Sequence, residues 1–237
     1  TYLLEIGTEE LPAKFADSVV NQFKSLLKFE LEKNLIKDTE IFCSSTPRRI
    51  FLLISGLNDL GKDKIELRKG PKANTAFLNG KPTNAAIGFA KSLNVDVKDL
   101  LIKKIKNVDF VFGEKIEKGK STKYLLSLII PKVIKALQGS RFMKWNYGNF
   151  KFSRPIRWII SLYNDEILDF NLDNIEPKIS VDKISKGHRL INNKVLISHP
   201  DNYLVSLETS GVLANRTKRK KIINDLINNS AQDLKLY

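Results

Sequence analysis

Residues 2–31, YLLEIGTEELPAKFADSVVNQFKSLLKFEL, decide the fold class. Tyr2 to Gly7 reads as a short strand, and Thr8-Glu9-Glu10-Leu11-Pro12 as a helix start, with Thr8 as a cap and Pro12 suited to a first turn. Between Pro12 and Asn34, the residues Phe15, Val19, Phe23, Leu26, Leu27 and Leu31 recur at spacings of three and four. One face of a long helix is therefore apolar and must pack on a sheet. Working outward, residues 41–44 and 49–57 read as strands about a Thr46-Pro47 turn. The second strand is apolar on both sides, with Ile50, Leu52 and Ile54 on one face and Phe51 and Leu53 on the other.

The pattern changes over residues 63–106, where Lys69-Gly70-Pro71-Lys72 reads as a loop and residues 82–93 as a short Ala-rich helix. Residues 108–118 then alternate like a strand. Ser121 caps a helix carrying Leu125, Leu128, Ile129, Val133 and Leu137, with Pro131 inside the pattern. Residues 155–163 and 166–170 form a hairpin about Asn164-Asp165, residues 183–197 supply one or two further strands, and residues 200–210 a helix. Asn215 caps a last helix with Ile222, Ile223, Leu226, Ile227 and Leu234 on one stripe, which looks unfinished without a further partner. The expected organisation is a main α+β domain over 1–62 and 107–212, a mixed or antiparallel sheet with packed helices. A small helical insertion at 63–106 and a helix at 213–237 leading into a following domain complete it, as in a piece of a longer protein.

The chain of 237 residues is 42% hydrophobic, with 40 Lys and Arg against 26 Asp and Glu, a net charge of +14. These numbers describe a globular basic protein. Two readings of the charge stay open: a polyanionic partner, whose condensed counterions Lys and Arg would release, or the surface of a Lys-, Ile- and Asn-rich protein from an AT-rich genome. No apolar run approaches the roughly 20 residues of a bilayer span, and the first residues lack the pattern of a secretion signal. No membrane association is expected, and the cytoplasm is the expected location. Cys43 is the single cysteine, which excludes an intramolecular disulfide and a multi-cysteine zinc site.

Neither GxxxxGK[ST] nor GxGxxG after a strand occurs, so a P-loop or Rossmann enzyme is not expected. His188, His199 and Cys43 make no metal motif at a recognised spacing, and no metal site is expected. Cys43 reads as a packed or partly exposed thiol, Glu9 and Glu10 as carboxylates favoured by a helix start, and His199 as a helix cap before Pro200. Basic clusters stand at Pro47-Arg48-Arg49, at Lys69 to Lys72, and at Arg154-Pro155-Ile156-Arg157-Trp158. Arginines held beside prolines can fork onto phosphate or carboxylate, or can close salt bridges at strand ends. Arg141, Lys144 and Trp145 belong to a stretch that interleaves bases with aromatics, which can stack on unpaired nucleotides or pack in the core. In Lys186-Gly187-His188-Arg189, a turn presents His188 and Arg189 together.

Taken in order, residues 3–14 (LLEIGTEELPAK), Thr46-Pro47-Arg48-Arg49, Lys69-Gly70-Pro71, residues 82–90 (PTNAAIGFA), Phe142-Met143-Lys144-Trp145, residues 152–158 (FSRPIRW) and Gly187-His188-Arg189 resemble the beta subunit of bacterial heterotetrameric glycyl-tRNA synthetases. The resemblance spans nearly the whole chain and corresponds to roughly the N-terminal third of that subunit. It implies a fold similar to the editing-type domain of phenylalanyl-tRNA synthetase beta subunits. It also implies a non-catalytic role in ATP-dependent glycylation of tRNA, with partners in a class II alpha subunit (an alpha2beta2 heterotetramer) and the tRNA for glycine. ATP with Mg is expected at the alpha subunit, and no cofactor on this stretch. The motif positions Arg48, Arg49, Lys69, Lys72, Arg154, Arg157, Trp158, His188 and Arg189, with Arg141, Lys144 and Trp145, are the candidates for contact with tRNA or with the other subunit. No catalytic residue is assigned, and the isolated stretch is expected to be inactive. An editing-type hydrolase acting on mischarged tRNA, or a purely structural scaffold, are the rival readings.

Overall fold

In the computed structural model, which describes residues 1–173 and 175–233, the opening strand runs Tyr2–Thr8 and is buried at every position. It lies inside an antiparallel sheet ordered Glu166–Ile167, Ile156–Tyr163, Tyr2–Thr8, Arg49–Ser55, Glu40–Thr46, with Val181–Asp182 paired in parallel to Ile156–Tyr163. Leu4 faces Leu52 on one neighbour and Ser161 on the other, so alternate residues enter two different cores. Tyr2, Leu4 and Ile6 enter the larger core, under the helices Ala13–Lys33 and Thr122–Ala136. Leu3 enters the smaller core with Phe51, Trp158, Ile160 and Leu162, under the helix Tyr203–Thr209. Burial on both faces explains why these strands read as nearly continuous apolar runs.

Helix Ala13–Lys33 buries Phe15, Val19, Phe23, Leu27 and Leu31, the stripe expected from the sequence. Its first residue follows Pro12, and no side chain caps it. Thr8, the expected cap, is instead the last residue of the strand, where it pairs with Ile156. The backbone between them is held by the Thr46–Arg49 turn: the Leu11 N–H donates to the Pro47 carbonyl at 2.6 Å and the Thr8 N–H to the Arg48 carbonyl at 2.9 Å. Those bonds bring the turn and the helix entrance together. His199 and Asn215 cap as expected, accepting from the Asp201 and Lys218 N–H groups. Leu234, expected on the last stripe, lies outside the described residues.

The chain divides into two compact units, one made of Thr1–Asp59 with the chain from Ser121, the other of Leu60–Lys120. The second unit is not purely helical. It carries an antiparallel sheet ordered Lys64–Lys72, Val108–Glu117, Leu101–Ile105, with helix Asn84–Leu93 packed on one face. Residues 69–72, expected as a loop, end the first of these strands, and the register shifts between Lys69 and Lys72. Proline cannot donate to a ladder, and such an irregularity on an edge strand is where a sheet tolerates it.

Candidate nucleic-acid interface

Three motifs that are far apart in sequence line one hollow of about 680 Å³ on the first unit, walled by Glu10, Arg48, Trp158, Lys186, His188 and Arg189. The sheet explains the meeting. Register sets Gly7 opposite Arg49 on one side and Trp158 on the other, so the Thr46–Arg49 turn and the start of the Ile156–Tyr163 strand flank the same strand end. A Cβ at residue 7 would stand 1.8 Å from the Trp158 indole, so the ring lies against the strand only because residue 7 is glycine. Strand Ile184–Ser185 then delivers Lys186 to Arg189, and the His188 N–H donates to the Ser210 carbonyl at 2.8 Å.

Under the hollow lies a buried polar network. Glu5 is fully buried and Arg49 is 4% exposed, and the guanidinium Nη1 stands 3.7 Å from a Glu5 carboxylate oxygen. The buried Ser185 hydroxyl lies 2.7 and 2.9 Å from the two Glu5 oxygens, the Trp158 indole N–H donates to the same carboxylate, and Arg49 Nη1 donates to Ser185 Oγ at 3.2 Å. Arg49 Nη2 donates to the Lys186 carbonyl at 2.5 Å, tying the Lys186–Arg189 turn to the sheet. Taking two charges out of water costs several kcal/mol per ion, which only mutual attraction and full hydrogen bonding offset. Arg49 Nε and the Tyr203 hydroxyl have no hydrogen-bond partner within 3.5 Å among the described residues, although the Tyr203 hydroxyl lies beside Glu5 and Arg49. Burial, and then the nearby Glu5 charge, hold the Tyr203 phenol well above its ordinary pKa.

The exposed rim is different in kind. Arg48, Lys186, His188 and Arg189 reach solvent, and Lys186 Nζ stands 5.0 Å from the Trp158 ring centroid. A second hollow, of about 700 Å³, shares the walls Glu10 and Arg48 and adds Glu9 and Arg154. A third, of about 1040 Å³, shares Arg154 and extends to Arg141. The three adjoin across the entrance of helix Ala13–Lys33, whose N-terminal dipole adds positive potential.

The candidates therefore divide by environment. Arg48, His188, Arg189 and Arg141 are exposed on the walls. Arg154 donates from Nε to the Glu10 carbonyl at 2.9 Å and from Nη1 to the Ser153 carbonyl at 3.1 Å, and Arg157 is paired with Glu9. Arg49 and Trp158 are internal. Lys144 donates to Asn149 at 3.2 Å, and Trp145 packs at the edge of the larger core. Phe142 lies 5.6 Å from Phe15, edge to face. Lys69 and Lys72 stand on the sheet of the second unit.

Sequence reasoning misses Glu5, Ser185 and Lys186. A lone carboxylate inside Leu3-Leu4-Glu5-Ile6 is the available signal for a buried charge with a partner. Ser185 and Lys186 carry no comparable mark, because a serine and a lysine beside a glycine turn are ordinary. Ser185 is closed to solvent and already engaged by Glu5 and Arg49, which leaves it unsuited to act as a nucleophile. Burial pushes the Cys43 thiol up to about 12, so this half-buried thiol stays protonated at neutral pH. No cluster of His, Cys, Asp and Glu suited to a metal occurs among the described residues, and no described helix is long and apolar enough to cross a membrane.

The sequence matches the family model described as glycyl-tRNA synthetase beta subunit over residues 2–237. It is 39% identical over 236 residues to the glycine-tRNA ligase beta subunit of Acaryochloris marina and 42% identical over 236 residues to that of Trichodesmium erythraeum, in each case 99% of this chain and 33% of the relative. It is 39% identical over 228 residues to that of Limosilactobacillus reuteri, covering 96% of this chain and 32% of the relative. The chain spans about a third of the length of these curated relatives.

Proposed function

From the premise that the chain belongs to the glycyl-tRNA synthetase beta subunit family, we propose that it is the N-terminal part of a non-catalytic beta subunit that positions tRNA and takes part in subunit assembly. The observation that carries this reading is the row of exposed cations, Arg141, Arg48, Lys186 and Arg189, along three adjoining hollows. A phosphodiester backbone is the ligand such a row suits, because each neutralised phosphate releases counterions and arginine can fork onto phosphate oxygens. The buried Glu5 and Arg49 pair acts indirectly, by fixing the Lys186–Arg189 turn.

In this reading the glycylation reaction, with its ATP and Mg, takes place on an alpha subunit in a cytoplasmic alpha2beta2 assembly. This third of the beta subunit is inactive by itself. The rival reading as an editing hydrolase draws no support from Ser185 or Cys43, one engaged and the other protonated.

The test is binding of the chain to the tRNA for glycine and to an unrelated tRNA at several salt concentrations. Binding should weaken steeply with salt. Arg48→Ala with Arg189→Ala should reduce the log–log slope by about 0.9 for each phosphate that is no longer neutralised. Absence of binding at low salt would refute the tRNA role and leave the charge as composition. Release of the amino acid from alanyl- or seryl-tRNA by the chain would favour the hydrolase instead.

A further inference from the structure

The Leu60–Lys120 unit carries 14 Lys and Arg against 7 Asp and Glu, a net of +7, half of the chain's +14 in about a quarter of its length. Its sheet is also unusual in which face is apolar. Helix Asn84–Leu93 packs on the side of Val111. On the edge strand, the residues on that side are the charged Glu66 and Arg68, which face Lys115 and Gly113 and pair with each other at 3.0 Å. The opposite face, away from the helix, holds Ile65, Leu67, Leu101, Ile105, Val108 and Ile116, all exposed.

In the middle of this open face, the central strand places Phe110 and Phe112 two residues apart, hence on the same side. Lysines flank them from both neighbouring strands. Lys72 and Lys103 are register partners of Phe110, and Lys69 is a partner of Phe112. The Lys69 ammonium lies 3.6 Å from the Phe110 ring centroid, and Lys103 lies 5.9 Å from that of Phe112. Phe110 is half-buried and Phe112 nearly covered by its neighbours, so Phe110 is the ring within reach of a ligand. Glu114 is the one carboxylate that the register puts on this face, opposite Leu67.

We propose that this open sheet face is a binding site for single-stranded RNA, with an unpaired base stacked on Phe110 and its phosphates held by Lys69, Lys72 and Lys103. A base has a π face that matches the ring, and the flexible lysine now over Phe110 can swing to a neighbouring phosphate when the base enters. Base stacking on an aromatic outweighs an exposed cation–π contact, so the exchange is favourable. A β-sheet that presents aromatics on its central strand and basic side chains around them suits unpaired nucleotides rather than duplex, since bases inside a duplex are stacked on both faces. Charge complementarity selects RNA over an apolar protein partner: three lysines and one glutamate surround the rings. This role goes beyond the tRNA role of the first unit and rests on other residues, all within Leu60–Lys120.

The experiment uses the whole 237-residue chain and a fluorescein-labelled uridine octamer, with a duplex of equal length as control. The octamer should bind more tightly than the duplex, and Phe110→Leu should weaken it about 10-fold while far-UV circular dichroism stays unchanged. Phe110→Tyr, which keeps the ring, should bind like the parent. Lys69→Gln with Lys103→Gln should lower the salt slope by about 1.4, roughly 0.7 for each single-strand phosphate. A 4-thiouridine octamer should photocross-link to the 108–117 strand. In the background of Arg48→Ala with Arg189→Ala, which removes phosphate contacts at the hollow, Phe110→Leu should still weaken the octamer about 10-fold, so failure of the hollow and failure of the sheet face are read separately. Unchanged octamer binding by Phe110→Leu, or cross-links confined to other segments, would overturn the proposal. So would a Phe110→Leu protein that binds the octamer normally and loses a protein partner.

Discussion

In the first sheet the strand Tyr2–Thr8 is buried at every residue, with a core on each face, whereas in the second the central strand Val108–Glu117 has a helix on one face only. Charge behaves oppositely in the two. Inside the first sheet, Glu5 and Arg49 are paired and engaged by Ser185, Trp158 and the Lys186 carbonyl, because an unpartnered ion there would be prohibitively costly. On the open face of the second, lysines stand beside phenylalanines and are exposed to solvent. A cation such as Arg49 is thus held inside the fold where two layers cover its strand, whereas Lys69 and Lys103 stand exposed where one layer is missing. Its motif alone does not distinguish the two cases: Arg48 and Arg49 are neighbours, one exposed and one 4% exposed.

The sharpest way to break this contrast is to remove one charge from the buried pair. Arg49→Met leaves Glu5 buried without its cation and should cost about 3–5 kcal/mol of unfolding free energy, measured by urea denaturation. Glu5→Leu combined with Arg49→Met should recover much of that destabilisation, since a buried pair replaced by apolar residues is often neutral. If the single change cost under about 0.5 kcal/mol, like an ordinary surface substitution, the internal role assigned to Arg49 would be wrong.

How much of this is legible in the sequence follows from the same contrast. The strands at 2–7 and 49–57 and the helix beneath them announce themselves because two-sided burial forces near-continuous apolar strands, and a single buried stripe forces spacings of three and four. The second sheet hides. Lys64-Ile65-Glu66-Leu67-Arg68-Lys69 alternates, yet its apolar residues point away from the covering helix, and the Gly70-Pro71 pair imitates a loop. Among the site residues, the arginines and the His188 turn are legible as motif members. Their division into walls and floor is not, because it depends on the register that sets Gly7 between Arg49 and Trp158.

A second effect, smaller per unit of pH, separates the units by their tyrosines. Tyr2 and Tyr203 are buried on opposite faces of the first sheet, and burial raises both phenols above their ordinary value near 10. Residues 60–120 contain no tyrosine. Below about pH 10 both phenols are neutral whether folded or unfolded, and they contribute no pH dependence. Above it the unfolded chain releases protons that the folded chain retains, so stability falls with rising pH, by about 1.4 kcal/mol per pH unit for each tyrosine. Tyr2→Phe should remove one such contribution, visible as a shallower alkaline decline in unfolding curves between about pH 10 and 12, on the order of one tyrosine's slope. It should also cost about 0.5–1.5 kcal/mol at neutral pH, because the 2.8 Å bond to Ser161 is gone. An alkaline slope identical to that of the parent would mean that Tyr2 ionises as freely folded as unfolded.

The smallest expected effect is on the open face itself. Ile65 and Ile116 are register partners there, 62% and 53% exposed. Replacing either by Thr keeps the β-branched shape that suits a strand and removes little buried surface. The change should alter unfolding free energy by no more than about 0.5 kcal/mol, the range of surface substitutions. Leu4→Ala in the first sheet should cost about 2–5 kcal/mol by the same measurement, because Leu4 is 1% exposed and its removal leaves a cavity. A cost for Ile116→Thr approaching that of Leu4→Ala would mean that the face is covered in solution, which would count against its availability to RNA. A cost near zero leaves the exposed isoleucines without a stability role, as a face open to solvent requires.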